Sequence, residues 1–553
     1  MSGVIQVTFP GGFSRDCPRG TRVESLLEHF GPARNALAAV KVNNEILPLS
    51  SRLETNAVLE PMSLHTPEGV MIYRRSLAFI LAAAARELFP ARSLYVGHSL
   101  GNSYYYTFAD ECKPRQEEIA ALKERMRTLV EEDHPIRSGF LAYAEALEHF
   151  EKNGQIDTRL LLNYRTEAKV PVNSCKDFVD LFIEPLVHRS GLLSAFDLMA
   201  YNNGFLLRFP GVGRGMTLDP FEDSPKIFSV YNEYKKWGRI VGVHAAGHLN
   251  SRVADRSIQD YIRTAEAFQA KKLAEIADRI YEKRDTVKVI LIAGPSSSGK
   301  TTSAKRLAIQ LTVMGIAPIA VSLDDYYAGA AKTPLDENGK PDFECLEALD
   351  VPLLNEQLLA LLNGGEVTLP AYDFKTGSRK ETGGKRIRLG RRTMLILEGI
   401  HGLNDALTVR IDRSAKFKLY ISALTQLNLD DHNRIPTSDN RLLRRMVRDY
   451  QFRGKDAAGT IAMWPAVQRG ERKHIFPFQN SADMAFNSAL DYELAVLKFY
   501  ADPLLRLVKP TQTEYAEAAR LLAFLQNFAP IPPQYAPGQS ILREFIGESE
   551  FKY

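Results

Sequence analysis

The period of hydrophobic and polar positions shifts along the chain, and the shifts mark where one kind of structure gives way to another. In the first sixty or so residues short β-type runs alternate with turns: Val4 to Phe9, Pro10-Gly11-Gly12, a helical Val23 to Phe30, then Ala39 to Val42, Asn43-Asn44 and Ala57 to Glu60. A helix is predicted from Arg75-Ser76-Leu77-Ala78-Phe79 to near Phe89-Pro90, followed by a turn and a strand holding Tyr104-Tyr105-Tyr106. From Ile258 to Arg284 apolar residues at Ile262, Ala265, Phe268, Leu273, Ile276 and Ile280 keep close to a helical period, interrupted at Gln269, which predicts one long helix. The pattern then switches. Val287 to Ala293 is a continuous, largely β-branched run, as expected of a strand buried on both faces in a parallel sheet.

Further strands are predicted at Ile319 to Leu323 and Met394 to Leu397, and a helix with Ala304, Leu307, Ala308 and Leu311 on one face stops at Gly315. A last helix, Tyr515 to Phe528, ends at Ala529-Pro530-Ile531-Pro532-Pro533, and the final twenty or so residues are expected to wrap the surface or reach a partner. A chain of 553 residues is too long for one core, and its length suggests roughly three to four domains.

Composition adds exclusions. With 45% hydrophobic and 25% charged residues the chain is an ordinary globular one. A net charge of +4 is too small to argue for wholesale binding to nucleic acid or an anionic membrane. Cys17, Cys112, Cys175 and Cys345 lie far apart with no C-x-x-C pair, which fits a reducing compartment and makes the cytoplasm the expected location. The amino terminus lacks the pattern of a signal peptide, and the apolar run Leu77 to Ala85 is far shorter than the roughly 20 residues that span a bilayer, so no membrane partner is expected.

The chemistry concentrates after residue 285. Gly294-Pro295-Ser296-Ser297-Ser298-Gly299-Lys300-Thr301 has the pattern G-x-x-x-x-G-K-[ST] between a strand and a helix. Its glycines let the backbone curl so that amides face phosphate oxygens; Lys300 brings charge to the β- and γ-phosphates, Thr301 a magnesium ligand, and Thr302 continues the nucleotide site. The next strand ends in Asp324-Asp325-Tyr326-Tyr327 and another in Glu398-Gly399, which puts acids at the carboxyl edge of the sheet, fit for a magnesium site and for accepting a hydroxyl proton. A helix cap or a surface carboxylate is the other reading of each acid. Arg441, Arg444, Arg445 and Arg448 share one helical face, so the helix is expected to be a cationic lid over the transferring phosphoryl group, with a solvated basic face or an RNA-binding stripe as rival.

Around these residues, Leu369-Pro370-Ala371-Tyr372-Asp373-Phe374-Lys375-Thr376-Gly377-Ser378-Arg379 resembles the uridine/cytidine kinase signature, and R-R-x-x-R-D followed by Arg453-Gly454-Lys455 resembles the lid of that family. The resemblance implies a nucleoside kinase acting on the 5′-hydroxyl of uridine or cytidine, with ATP or GTP as donor and Mg2+ as cofactor. It makes Asp324 the base, Lys300, Arg441 and Arg445 the other catalytic groups, and Glu398 with Thr301 the metal site. It also places Tyr327, Glu344, Tyr372, Phe374, Arg379 and Arg448 at the nucleoside, Glu344 on the ribose. Gly377 stands where uridine kinases usually carry a histidine, which enlarges the pocket and leaves the base, or even another sugar hydroxyl as in phosphoribulokinase-like enzymes, open.

Two further resemblances lie upstream. Val40-Lys41-Val42-Asn43-Asn44 with Leu53-Glu54-Thr55-Asn56-Ala57-Val58-Leu59-Glu60-Pro61 resembles the TGS domain, a β-grasp unit at the start of threonyl-tRNA synthetases. The following region resembles the editing-type (SAD) domain of that family, but the helix positions that there hold an H-x-x-x-H metal pair are Arg75 and Phe79, which cannot bind a metal. The expected architecture is therefore α/β: a TGS-like β-grasp domain (1–64), an editing-like α+β domain (65–250), a connecting helix (251–284), a P-loop kinase domain with a parallel sheet and helices on both faces (285–510), and a C-terminal helix and tail (511–553). A homo-oligomer is the expected assembly, and the synthetase likeness keeps an RNA- or translation-linked NTPase switch as the rival function. His244 and His248 have the i, i+4 spacing of a zinc pair, yet lack the glutamate of H-E-x-x-H and have Gly247 between them, so buried or hydrogen-bonded histidines are the preferred reading. The three tyrosines are read as strand packing rather than a base-stacking platform.

Overall fold

The computed structural model describes residues 3–213, 215–335, 339, 341–373, 378–380 and 384–552, without the side chains of residues 32, 33, 35 and 330. Phe374 and Gly377 of the kinase-like signature lie outside the described residues.

At the amino end, strands Val4–Thr8, Ser14–Pro18, Leu37–Val42, Glu45–Leu47 and Ala57–Ser63 make a mixed sheet in which Val4–Thr8 runs parallel to Ala57–Ser63 and antiparallel to Ser14–Pro18. The helical segment Val23–Ala36 closes one face over Val7, Val40 and Leu59, all at most 1% exposed. This is the small β-grasp unit that the alternation of short runs and turns predicted.

The helix Pro67–Leu88 follows, started by Pro67 in its first turn and by Thr66, whose Oγ1 accepts from Gly69 N at 3.1 Å. It packs against a four-stranded antiparallel sheet, Asp197–Tyr201, Gly204–Arg208, Ser103–Phe108 and Leu94–Ser99 in spatial order. Tyr104, Tyr105 and Tyr106 are all buried in it because both faces are covered, with ring centroids 4.6 Å from Phe209, 4.9 Å from Phe228 and 5.7 Å from Phe205 respectively. Arg75 pairs with Glu184, and Phe79 packs edge-on against Phe178 at 5.2 Å.

The long helix predicted from the 3.6-residue period runs Ile258–Glu282. Gln269, the apparent flaw in its stripe, is 1% exposed and accepts a hydrogen bond from Arg306 Nη1 at 2.6 Å, so the polar side chain is buried with a partner. Beyond it lies a five-stranded, all-parallel sheet in the order Ala317–Ser322, Thr393–Glu398, Val289–Ala293, Lys416–Ser422, Met484–Asn487. Separate apolar clusters cover its two faces, one with Leu307 and Leu311 of the helix Lys300–Val313, the other with Leu354 and Leu358 of the helix Val351–Leu362. That double cover is why Val289 to Ala293 carries no polar residue.

The carboxyl end departs from expectation. The helix Tyr515–Leu525 forms, but the segment after the prolines does not wrap the surface: Ile541, Leu542 and Phe545 are fully buried, and the short helix Arg543–Ile546 is wedged beside the phosphate-loop region. Its hydrophobic residues are too few to form a stripe of their own and are buried by joining a core already built. No helix among the described residues is long and apolar enough to cross a membrane.

Candidate functional site

The loop Gly294 to Thr301 leaves the carboxyl end of the central strand and enters the helix Lys300–Val313. Gly294 is required there, because a Cβ would stand 1.9 Å from Ile421 O of the neighbouring strand. Gly299 turns the loop with φ +78°. Lys300 Nζ donates to Gly294 O at 2.9 Å and Pro295 O at 3.1 Å, and burial lowers its pKa against the pull of Glu398 and Asp324.

The partners of the arginine face tell against its rival reading as a solvated basic stripe. On the helix Thr437–Arg453 the cations do not form a solvated stripe; they meet buried acids and the loop backbone. Arg441 donates from Nε to Ser296 O at 2.8 Å and pairs with Glu471, which in turn accepts from Ser296 N at 2.8 Å. Arg444, fully buried, donates to Ser297 O at 3.2 Å and to Glu493 Oε2 at 3.0 Å. Arg445 donates to Ser296 Oγ at 2.6 Å and pairs with Asp449, as does Arg448. Three guanidinium groups thus hold the outer carbonyls and hydroxyl of the loop. Arg453 and Arg448 of this helix both oppose the raised pKa of Asp324.

Asp324 lies in the turn Leu323–Tyr326 at the end of its strand, and its pKa is raised by burial, an effect that Lys300 and Arg453 oppose. Glu398, at the end of the adjacent strand, is pushed up to about 7 by burial, and its Oε1 accepts from Thr301 Oγ1 at 3.1 Å. Two hard oxygens at that separation suit neighbouring positions of an octahedral Mg2+ with bonds of about 2.1 Å, whose cis ligands lie roughly 3 Å apart. Thr301 and Glu398 therefore fit the ion expected of them.

Around the acceptor side, Tyr327 OH donates to Phe343 O at 3.1 Å, and its ring stands 5.5 Å from that of Tyr372. Glu344 is pushed up to about 7 by burial, with the charge of Glu471 adding to the effect. Arg379 is committed to the scaffold, donating to Tyr326 O and Tyr327 O at 3.2 Å each and to Asp350 Oδ2 at 3.0 Å, so it fixes the turn that carries Asp324.

Glu471, Glu493 and Glu544 escaped the sequence reading. Glu544, from the buried tail, accepts from Thr302 N at 3.0 Å and from Thr302 Oγ1 at 2.6 Å, at the first turn of the loop's helix. No local pattern in the sequence marks these pairings, since each partner comes from a distant segment.

Residues 289–495 match the family model described as the Phosphoribulokinase / Uridine kinase family. This region is a domain of that family. It is a P-loop kinase domain, with the loop, the two strand-end acids and the arginine helix inside the matched span. The amino-terminal region is similar to threonine–tRNA ligases: that of Desulforamulus reducens is 34% identical over 200 residues, 36% of this chain and 31% of the relative, and that of Symbiobacterium thermophilum is 32% identical over 203 residues, 36% and 31%. The chain spans about a third of the length of these curated relatives. Among solved structures, a putative fructose transport system kinase from Silicibacter sp. aligns at 19% identity and TM-score 0.28, covering 39% of this chain and 98% of that one. A possible uridine kinase from Bacillus stearothermophilus aligns at 22% identity and TM-score 0.27 with the same coverage.

Proposed function

We propose that the kinase domain transfers the γ-phosphoryl group of ATP or GTP to the 5′-hydroxyl of uridine, cytidine or a related nucleoside. The observation that carries the reading is the convergence of Asp324 and Glu398, acids at the ends of adjacent strands, on Lys300, whose charge is felt at both carboxyls. Magnesium held by Thr301 and Glu398 would neutralise charge on the β- and γ-phosphates. Lys300 supplies a fixed positive charge on the same side, and the loop amides cradle the phosphates.

Asp324 accepts the hydroxyl proton. Its raised pKa brings it nearer neutrality than an ordinary aspartate, which suits proton acceptance at neutral pH. Tyr327 and Tyr372 offer an aromatic wall for the nucleoside, with Phe374 two residues after Tyr372 in sequence, and Glu344 a carboxyl for the ribose hydroxyls. Arg441 and Arg445 hold the loop in its phosphate-ready shape, and Arg453 and Arg448, whose charges lower the pKa of Asp324, would meet the transferring group.

The test incubates the protein with Mg2+, ATP or GTP and a panel of nucleosides and sugar phosphates, scoring phosphorylated product separately from hydrolysis. Nucleoside 5′-monophosphate is the expected product. Product on a sugar phosphate instead would move the acceptor toward a phosphoribulokinase-like hydroxyl. The likeness to threonine–tRNA ligases supports a second reading, a translation-linked NTPase; hydrolysis stimulated by tRNA with no phosphorylated small molecule would favour it.

A further inference from the structure

Outside the kinase site, Asp157, His244 and His248 bring one ligand atom each within 4.8 Å of one another. The three come from different places. Asp157 sits in the first turn of the helix Ile156–Leu162, His248 in the first turn of the helix Ala246–Ala254, and His244 just before that helix, in an extended segment whose neighbour Ala245 bridges to Asn428. The two histidines therefore do not share a helical face, as their spacing alone suggested, yet their rings still lie 4.2 Å apart between centroids.

The three side chains approach one another as ion pairs where the imidazoles are protonated, and as ligands of one cation where they are neutral. His244 Nε2 is 3.2 Å from Asp157 Oδ2 and His248 Nδ1 is 3.8 Å from Asp157 Oδ1. Bonds of about 2.0–2.2 Å from a tetrahedral ion put its ligands roughly 3.3–3.6 Å apart, and the two distances, one to each oxygen of Asp157, lie on either side of that range. Despite the 3.2 Å approach, Asp157 Oδ2 has no hydrogen-bond partner among the described residues, nor do Nδ1 of His244 and Nδ1 of His248. Asp157 is 3% exposed, and a carboxylate so buried needs a paired charge or a metal.

The surroundings tolerate a cation. Asp431, 1% exposed, adds a second carboxylate whose Oδ2 accepts from Thr158 N at 2.9 Å and from Thr158 Oγ1 at 3.0 Å. The nearby Arg239 is paired with Glu111, and Arg252 donates to Val241 O at 3.2 Å. Both histidine side chains keep about a quarter or more of their surface open, at 30% and 25%, which leaves a path for an ion to enter.

We propose that Asp157, His244 and His248 bind a zinc-class divalent transition-metal ion, with the fourth position left to water or a small ligand. Two imidazoles and a carboxylate favour such an ion over magnesium, which prefers an all-oxygen shell. The ion ties the helix Ile156–Leu162 to the segment at residues 244–248 that bridges to Asn428 in the kinase region.

The test strips the full-length protein with a chelator and titrates it with Zn2+ against a chromophoric competitor, alongside His244→Gln, His248→Gln and, as control, the exposed His65→Ala. One equivalent bound by the wild type and by H65A is expected, with affinity lower by about 100-fold or more in each of the other two, since even a residue that only orients a metal ligand is worth about 10–100-fold. Co2+ loading provides a readout that needs no variant: the wild type is to show the intense visible bands of a tetrahedral nitrogen/oxygen site without a thiolate charge-transfer band. Absence of stoichiometric binding by the wild type, undiminished binding by H244Q and H248Q, or a thiolate band would each overturn the proposal.

Discussion

Glu544 provides the sharpest test of how the tail meets the proposed nucleotide site. Its carboxylate occupies two donors, Thr302 N and Thr302 Oγ1, that the phosphate loop would otherwise turn to a nucleotide, and it does so at the positive end of the helix Lys300–Val313. Hydrogen bonds to a charged acceptor contribute about 1.5–3 kcal/mol net, against about 0.5–1.5 kcal/mol for a neutral one. Glu544→Gln keeps an acceptor and the side chain's shape but loses the charge, so the difference is about 1–1.5 kcal/mol. A nucleotide that must take these donors gains that amount, which is about five- to twelvefold in Kd. The assay is calorimetric titration of full-length wild type and E544Q with Mg2+·ATP and a non-hydrolysable analogue, beside urea unfolding of the nucleotide-free proteins. Nucleotide affinity is expected to rise while nucleotide-free stability falls by a similar free energy. If E544Q loses stability and binds nucleotide no more tightly, the carboxylate coexists with the nucleotide as a helix cap and does not compete with it.

Asp324→Asn is expected to lower kcat by about 10²–10⁴, the usual contribution of a general base, while leaving Mg2+·ATP affinity within about twofold; full turnover in the variant would remove Asp324 from that role. Glu398 and Glu344, both pushed up to about 7 from an ordinary 4.5, hold protons in the folded state that the unfolded chain has released. The nucleotide-free protein should therefore lose stability as pH rises from about 4.5 to 7, and stabilisation by Mg2+·ATP should grow over the same window, because the metal takes the place of the Glu398 proton. Melting curves at several pH values, with E398Q as the variant in which the growth disappears, check this; a ligand shift independent of pH would contradict it. Glu493→Ala leaves Arg444 buried without its carboxylate and should cost about 3–5 kcal/mol in denaturant unfolding, and a loss under about 1 kcal/mol would mean that Ser297 O and Ser488 O suffice for the guanidinium.

How much of this was legible in the sequence follows from how far apart the interacting residues lie. The phosphate loop is contiguous, and its strand, glycines, lysine and helix are fixed by neighbours in the chain, so it could be placed without coordinates. The same holds for the buried strand Val289–Ala293 and the long helix Ile258–Glu282, whose periods differ because one is covered on both faces and the other on one. Asp324 and Glu398 could be placed side by side because the ends of adjacent parallel strands meet by topology. The arginine helix was legible only in part. Spacing says which residues share a face but not what that face meets, and Glu471 and Glu493, supplied from other segments, turn most of the expected cationic surface into a brace for Ser296 and Ser297. Glu544, which meets Thr302 across 242 residues, carries no local pattern at all; a proline-rich tail reads as surface because its apolar residues have no period, although they need none when they fill gaps in an existing core. Asp157 was hidden in the same way, since the spacing of His244 and His248 suggested a shared helical face that the fold does not form, and the third candidate ligand comes from a helix packed against theirs. In each case the residue type announced a chemistry, and the tertiary partner decided whether that chemistry faces a substrate or the protein itself.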